Sequence, residues 1–227
     1  MKLSVIIPVY NEKETISPAI RRVIDVPIHK EIIVVDDGST DGTGDILRDT
    51  VKEDPEIEVI FLGRNMGKGS AIRAGIEKVS GDFVVIQDAD LEYDPMDWIE
   101  MLRVAVSEDA PVVYGSRVLG GGPKSSLAFY FGGRLLSVLT NILYRTGITD
   151  EPTCYKMFRA DIIKSLELRC TGFEFCPEVT AKLAVKGYRI REVPISYNPR
   201  RIREGKKIRW HDGITAVFTL LRYRFRK

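Results

Sequence analysis

A length of 227 residues suits one domain or one domain with an appendage, and 44% apolar with 29% charged residues describes an ordinary globular protein with material for a core. Three cysteines, Cys154, Cys170 and Cys176, are odd in number and lack the paired spacing of a zinc site, which points to packing roles in a reduced, cytoplasmic protein. The net charge of +2 hides an asymmetry: residues 1–115 hold 12 Lys and Arg against 23 Asp and Glu, whereas residues 116–227 hold 22 against 9. The first half should attract a cation and the second an anionic partner.

Taken in chain order, residues 1–115 alternate short apolar runs with helical patterns, the signature of repeated βαβ units. Strands are predicted at 3–9, 31–36, 57–62, 82–87 and 111–115, and helices at 12–25, 42–53, 68–79 and 95–108. Asn11 followed by Glu14 resembles a helix cap, and Pro95 stands where a helix tolerates its missing N–H. The fold class is therefore α/β, a twisted, mostly parallel sheet with helices on both faces. The first strand is too short for a signal peptide and meets Pro8 at once.

The second half is less regular. Gly120–Gly122 and Pro123 form a break before an apolar helix at 127–144, on which Arg134, Ser137, Asn141 and Arg145 share one polar stripe. The apolar stretches either side of Arg134 fall short of the roughly 20 residues that span a bilayer. A helix at 175–187, a strand near 189–196, the basic run 200–207 and an amphipathic tail from 213 complete the chain.

Chemistry gathers at the predicted strand exits, where open α/β sheets bind ligands. Asp88-Ala89-Asp90 follows one apolar strand, and Glu92 adds a third carboxylate two residues on, pointing the same way if the backbone stays extended. Three like charges this close call for a hard cation, Mg²⁺ or Mn²⁺, shared with a diphosphate. Asp36 and Asp37 close an earlier strand in a tight acidic turn able to accept from ribose hydroxyls or base N–H groups. Tyr10 and Glu12 leave the first strand, either as a turn with a cap or at a nucleotide base or ribose. Asn65–Ala71 resembles a phosphate loop at a helix start but is not a Walker A sequence, since only three residues separate Gly63 from Gly67 and Gly69 follows Lys68. No G-x-G-x-x-G follows the first strand, which argues against a dinucleotide oxidoreductase. His29 and His211 stand alone.

These acidic and glycine-rich segments, in this order and spacing, resemble a family 2 glycosyltransferase with the Rossmann-like GT-A fold. Through Gly115-Ser116-Arg117, the Arg134/Ser137 helix, Asp150 to Phe158 and Arg203 to Lys207, the resemblance extends to dolichyl-phosphate mannose synthases and bacterial polyprenyl-phosphate relatives. It implies a single domain over 1–227, with a nucleotide-sugar half at 1–115 and an acceptor half with a basic tail at 116–227. It implies that Pro8, Tyr10, Glu12, Val35 and Asp37 surround the nucleoside, that Lys68 and Ala89 line the nucleotide-sugar site, and that Asp88, Asp90 and Glu92 hold Mg²⁺ or Mn²⁺. Arg117, Arg134 and Ser137 would bind the acceptor phosphate, and Arg203 and Lys207 would close over the donor. Asp90, Arg117 and Arg134 are then the groups expected to act on the reaction. Some relatives carry Gln in place of Glu92, many carry Ser in place of Lys206, and many continue into transmembrane helices not expected here.

The expected activity is inverting hexose transfer from a GDP- or UDP-linked sugar to a polyprenyl phosphate at the inner face of the membrane. The 127–144 helix reads equally as a membrane contact, core or a homodimer interface. A hydroxyl acceptor is the alternative, with Asp150, Glu151, Glu174 and Glu178 as candidate bases. A nucleotide- or RNA-binding module without catalysis is the distant alternative, disfavoured because clustered carboxylates repel a nucleic-acid backbone.

Overall fold

The computed structural model describes residues 1–123, 126–200 and 207–225. Seven strands form one sheet: β1 (Leu3–Val9), β2 (Lys30–Asp36), β3 (Ile57–Phe61), β4 (Phe83–Ile86), β5 (Val112–Ser116), β6 (Lys156–Arg159) and β7 (Arg191–Pro194), in the order β3-β2-β1-β4-β6-β5-β7. Every residue of β1 is buried, as expected of a parallel strand covered on both faces. The sheet is parallel except for β6, which runs against both β4 and β5.

Nine α-helices are described: α1 (Ile16–Asp25), α2 (Thr43–Glu53), α3 (Lys68–Lys78), α4 (Trp98–Ser107), α5 (Arg117–Gly120), α6 (Leu127–Tyr144), α7 (Ala160–Lys164), α8 (Phe175–Val185) and α9 (Trp210–Phe225). One core joins the strands to the helix faces, with Trp98, Tyr155 and Phe158 among its largest fully buried side chains. The α/β expectation and the helical C-terminal part are both present.

Pro8 lies in a central strand, where its missing N–H would normally break a ladder. It is tolerated because β4 pairs with β1 only as far as Ile6 opposite Ile86, while β2 continues beside β1 through Pro8 and Val35 to Asp36. Beyond Ile6 the sheet parts between β1 and β4, and order reverses about β1, so a crevice opens at the strands' carboxyl ends.

Three local expectations are corrected, and one strand lies where none is expected. The first helix begins at Ile16, because Asn11 takes a left-handed conformation (φ 48°) and its side-chain oxygen accepts from the Thr40 N–H at 2.8 Å, not from its own helix. β6, a four-residue strand with Lys and Arg at its ends, has no apolar run to announce it. Pro95 opens a short 3-10 turn, Pro95–Asp97, before α4 proper. The tail helix starts at Trp210, three residues earlier than its pattern suggests.

Glu31, at the start of β2, staples three segments together. It accepts from the Ser4 hydroxyl, from the Ser80 N–H at 2.7 Å and from the Gly81 N–H at 3.1 Å, and pairs with Lys2 Nζ at 2.6 Å. Burial opposes its ionisation, but the hydrogen bonds from Lys2, Ser4 and Ser80 outweigh burial and lower its carboxyl from 4.5 to about 2. A depressed carboxyl stabilises the fold above its unfolded pKa and loses that contribution as pH falls through the folded one. Denaturant unfolding should therefore show Glu31→Gln less stable than the parent by about 1–2 kcal/mol at pH 7. The difference should shrink as pH falls from 4.5 towards 2.

Candidate active site

The loops after β1 and β2 are laced together at the crevice. Asn11 N–H donates to Ser39 Oγ at 2.9 Å, Glu12 N–H donates to Thr43 Oγ1 at 3.0 Å, and Lys13 N–H donates to Asp41 at 3.1 Å. Pro8 and Val35 are register partners in the adjoining strands, which sets Tyr10 and Asp37 on the same rim. Asp37 is buried, and its two carboxylate oxygens accept the Met66 and Gly67 N–H groups at 2.7 Å each. Burial raises its pKa and the charge of Asp36 adds to this, while the two amides pull the other way. The carboxylate thus pins the 65–67 loop to β2.

That loop leads into α3 and delivers Lys68 to the exit of β4. Lys68 Nζ meets Asp88 Oδ1 at 2.5 Å, lies 3.7 Å from Cys154 Sγ, and sits 5.7 Å from the centre of the Phe173 ring. Burial works against ionisation of Asp88, but the neighbouring Lys68 charge holds its pKa below the ordinary value. Gly67 (φ 92°) allows the approach, since a Cβ there would stand 2.3 Å from the Thr171 carbonyl oxygen.

Beyond Asp88 the chain does not stay extended. Leu91 is left-handed (φ 64°), and the Glu92 N–H turns back to Asp90 Oδ1 at 3.1 Å. Glu92 consequently faces the segment that follows β7, accepting the Tyr197 hydroxyl at 2.6 Å and the Arg200 N–H at 2.9 Å. Among the described residues no group of three His, Cys, Asp or Glu side chains has converged in metal-holding geometry.

The cations found among these carboxylates come from the chain itself. Arg200 spans Glu12 at 3.1 Å from both terminal nitrogens, Asp90 at 3.2 Å and Glu92 at 3.8 Å. Lys207 Nζ reaches Glu12 at 2.8 Å and donates to the Tyr10 carbonyl. Burial opposes the ionisation of Glu12, yet Arg200, Lys207 and Thr15 together lower its pKa. Asp90 is less well served: burial, with the charges of Asp88 and Glu92, pushes its pKa up to about 7 against the pull of Arg200. Asp88 and Asp90 are hard oxygen donors, and the charge of Asp90 is only partly answered by Arg200, so the pair fits Mg²⁺ or Mn²⁺. Arg203 lies outside the described residues.

A second cluster assembles where α5 and α6 meet the 149–151 loop. Arg117 grips Asp150 through Nε at 2.8 Å and a terminal nitrogen at 2.7 Å. Arg134 donates to the Thr149 carbonyl at 2.8 Å, and Ser137 Oγ accepts the Glu151 N–H at 2.9 Å. Asn141 continues the stripe, donating to the Ile148 carbonyl at 2.8 Å. Thus the polar stripe of α6 faces inward. Ser137 and Thr140 are 2% and 0% exposed, whereas Phe131 and Ile142 on the opposite face are 64% and 71% exposed. Contrary to the expected shortfall, α6 is long and apolar enough to cross a membrane by length and composition. Arg117 also lies 5.0 Å from the centre of the Tyr197 ring, which links this cluster to Glu92.

Three of the four carboxylates considered as bases are engaged: Asp150 holds Arg117, Glu174 caps the Thr171 and Gly172 amides, and Glu178 takes the Arg169 and Cys170 amides with Lys182 and Tyr223. The fourth, Glu151, is sealed from solvent, and burial raises its pKa.

The family described as Glycosyl transferase family 2 matches residues 4–167. The chain belongs to this family. Undecaprenyl-phosphate mannosyltransferase of Micrococcus luteus is 32% identical over 218 residues, 91% of this chain and 87% of that protein. Dolichol-phosphate mannosyltransferase of Pyrococcus furiosus is 31% identical over 234 residues, and the match takes in all of this chain but only 63% of that protein. In structure, glucosyl-3-phosphoglycerate synthase of Mycobacterium tuberculosis, solved with Mn²⁺, UDP and phosphoglyceric acid, superimposes with a TM-score of 0.75 at 18% identity, covering 99% of this chain and 78% of that one. The fold is the GT-A fold.

Of the residues singled out from this glycosyltransferase's sequence, Tyr10, Glu12, Asp37, Lys68, Asp88, Asp90 and Lys207 do gather at one crevice, and Arg117, Arg134 and Ser137 at the adjoining loop. Arg200 and Tyr197 were missed as individuals. Arg200 was visible only as one charge in a basic run, and its partners lie 108 and 188 residues away. Gly67→Ala should lower the melting temperature by several degrees, because the added methyl meets backbone and φ is unfavourable there. Thermal unfolding followed by circular dichroism measures it, with Gly63→Ala, where a Cβ meets nothing within 4 Å, as the control for φ alone.

Proposed function

We propose that this glycosyltransferase moves a hexose, with inversion, from a UDP- or GDP-linked donor to a polyprenyl phosphate, and that residues 1–227 act as one domain with donor and acceptor halves. The observation that carries the acceptor is the second cluster. Two arginines and a serine converge on one loop beside the donor crevice, while the carboxylates considered as bases are committed elsewhere or, in Glu151, sealed from solvent. A phosphate monoester is largely dianionic at neutral pH and attacks without a base; a hydroxyl needs one. The Micrococcus and Pyrococcus relatives, named for undecaprenyl and dolichol phosphates, support the same choice.

In this reading Pro8, Tyr10, Glu12, Val35 and Asp37 frame the nucleoside, and Lys68 and Ala89 border the diphosphate and sugar. Lys207 would border the donor from the C-terminal side. Asp88 and Asp90, with Glu92 swung inward, would hold Mg²⁺ or Mn²⁺. When bound, the ion supplies Lewis-acid stabilisation of the charge on the departing diphosphate. Arg117 and Arg134 orient the acceptor phosphate so that one of its oxygens bonds to the anomeric carbon as the bond to the diphosphate oxygen breaks on the opposite face. No proton need be removed.

The lipid would arrive from the exposed apolar face of α6, beside Phe218 and Trp210 of α9 and the basic Arg222 and Arg224. An apolar face rimmed by arginines suits the headgroup boundary of an anionic membrane. Because the polar stripe of α6 is fastened to the 146–151 loop, the helix would lie on the membrane, not cross it.

The direct test is a panel of nucleotide sugars with Mg²⁺ or Mn²⁺ and a short polyprenyl phosphate, monitored for released UDP or GDP. Arg134→Ala should lose at least about tenfold in kcat/KM for the lipid phosphate, the scale of one charge-assisted contact. A hydroxyl-acceptor enzyme would be largely spared, and survival of lipid transfer in that variant would sink the clamp. Separately, EDTA should abolish release and Mn²⁺ restore it. Asp90→Asn should weaken Mn²⁺ binding, measured by calorimetry, by about tenfold or more.

A further inference from the structure

One row of the sheet grips the loop of the second cluster with charges of both signs. Lys156, Tyr114 and Glu192 are register partners across β6, β5 and β7, so their side chains share one face. Lys156 Nζ donates to the Glu151 and Thr153 carbonyls at 2.6 Å each. Glu192 accepts the Thr149 N–H at 2.7 Å and the Asp150 N–H at 3.0 Å. An ammonium thus takes the carbonyls of the loop and a carboxylate takes its amides. Asp150, which holds Arg117, and Thr149, whose carbonyl holds Arg134, both lie within the gripped stretch.

Lys156 is 0% exposed, a position where an apolar residue is the ordinary choice. An ammonium taken out of water is costly unless its three donors are answered. Two of them meet the carbonyls, and the Tyr114 ring, its centre 4.3 Å from Nζ, provides a further seat for the charge. That ring is fixed in turn, since the Tyr114 hydroxyl bonds Thr180 Oγ1 at 2.9 Å. Glu151 and Thr153 are equally buried and precede β6 outside any strand or helix, so their carbonyls need a donor from elsewhere. Lys156 supplies it as a bound cation would. A loop held this way keeps one geometry, and the bidentate contact of Asp150 with Arg117 tolerates little displacement.

We infer that Lys156 and Glu192 are positioning residues for the acceptor phosphate, holding the 149–153 loop so that Arg117 and Arg134 stand at a fixed separation. The inference rests on the proposed assignment of the second cluster to the acceptor and adds the row of the sheet that sets it. Lys156 is sealed from solvent and Glu192 carries the wrong sign to bind a phosphate, so both act through the loop. That wrong sign separates positioning from a field effect. Acting by charge alone, Glu192→Gln would tighten a phosphate ligand. Acting by its hold on the loop, it weakens one.

Calorimetric titration with farnesyl phosphate in mild detergent, set beside UDP and GDP with Mn²⁺, reads the acceptor and donor sites apart. Lys156→Met and Glu192→Gln should each weaken farnesyl phosphate by about 3- to 10-fold, the scale of one or two hydrogen bonds lost from the loop. Each should leave the nucleotide that the parent binds within about twofold. In steady-state assays the acceptor KM should rise with the donor KM unchanged. Lys156→Met also strips two buried carbonyls of their donor; should it fail to fold, Glu192→Gln, at a half-buried position, decides alone. Farnesyl phosphate binding that is unchanged or tighter in Glu192→Gln overturns the inference, as does equal weakening of nucleotide and farnesyl phosphate by either variant. Arg134→Ala in the same titration separates this outcome from the parent reading. Unchanged farnesyl phosphate binding there overturns the acceptor site itself, whereas loss in Arg134→Ala without loss in Glu192→Gln overturns only the role of the row.

Discussion

Crowded negative charge at the carboxyl edge of the sheet is the constraint on which the rest of the structure depends. Glu12, Asp37, Asp88, Asp90 and Glu92 all stand at the exits of three neighbouring strands, most of them shielded from water. Two such charges about 4 Å apart interact by roughly 4 kcal/mol at the effective dielectric of a protein surface, so each must be answered. The answers come from different parts of the chain: amides of the 65–67 loop for Asp37, Lys68 for Asp88, Arg200 and Lys207 for Glu12. The opposite charge balances of the two halves of the sequence are thereby turned into a contact between them. Asp90, between two like charges with one guanidinium to share, is left the least compensated.

The crevice is held in shape independently of any ligand. Asp37 ties the loop before α3 to β2 by two short hydrogen bonds, and Gly67 lets that loop lie against the Thr171 carbonyl. At the second cluster, Asn141 and Arg134 accept and donate to the backbone of the 146–151 loop as a partner strand would. Side chains doing the work of a ladder explain how an irregular loop can present Asp150 to Arg117 of α5 in a fixed bidentate geometry. The chain thus invests its buried polar groups in fixing loops, leaving the apolar face of α6 outward.

Much of this was legible beforehand, for local reasons. Strands such as Ile32–Val35 and Phe83–Ile86 are apolar runs ended by carboxylates, and both features survive folding because neither depends on a distant partner. The 127–144 helix was legible to the residue from its composition. Its orientation was not, since composition says nothing of which face meets protein, and here the polar residues do. The conformation of 88–92 escaped because it turns on one left-handed residue, Leu91, whose type does not advertise that conformation. Arg200 and Tyr197 escaped because their significance lies in pairings made only when the end of the chain returns to its beginning.

The reversed direction of β6 has a topological consequence. In an all-parallel sheet, the connection entering a strand arrives at the edge opposite the ligand crevice. Because β6 runs backwards between β4 and β5, the chain enters it at the edge where β4 ends, and Thr149 to Tyr155 come up beside Asp88. One inverted strand thus makes the loops of the two clusters neighbours without either being long. The connection into β6 can therefore lie at the crevice while β1, β2 and β4 stay in parallel register beside it.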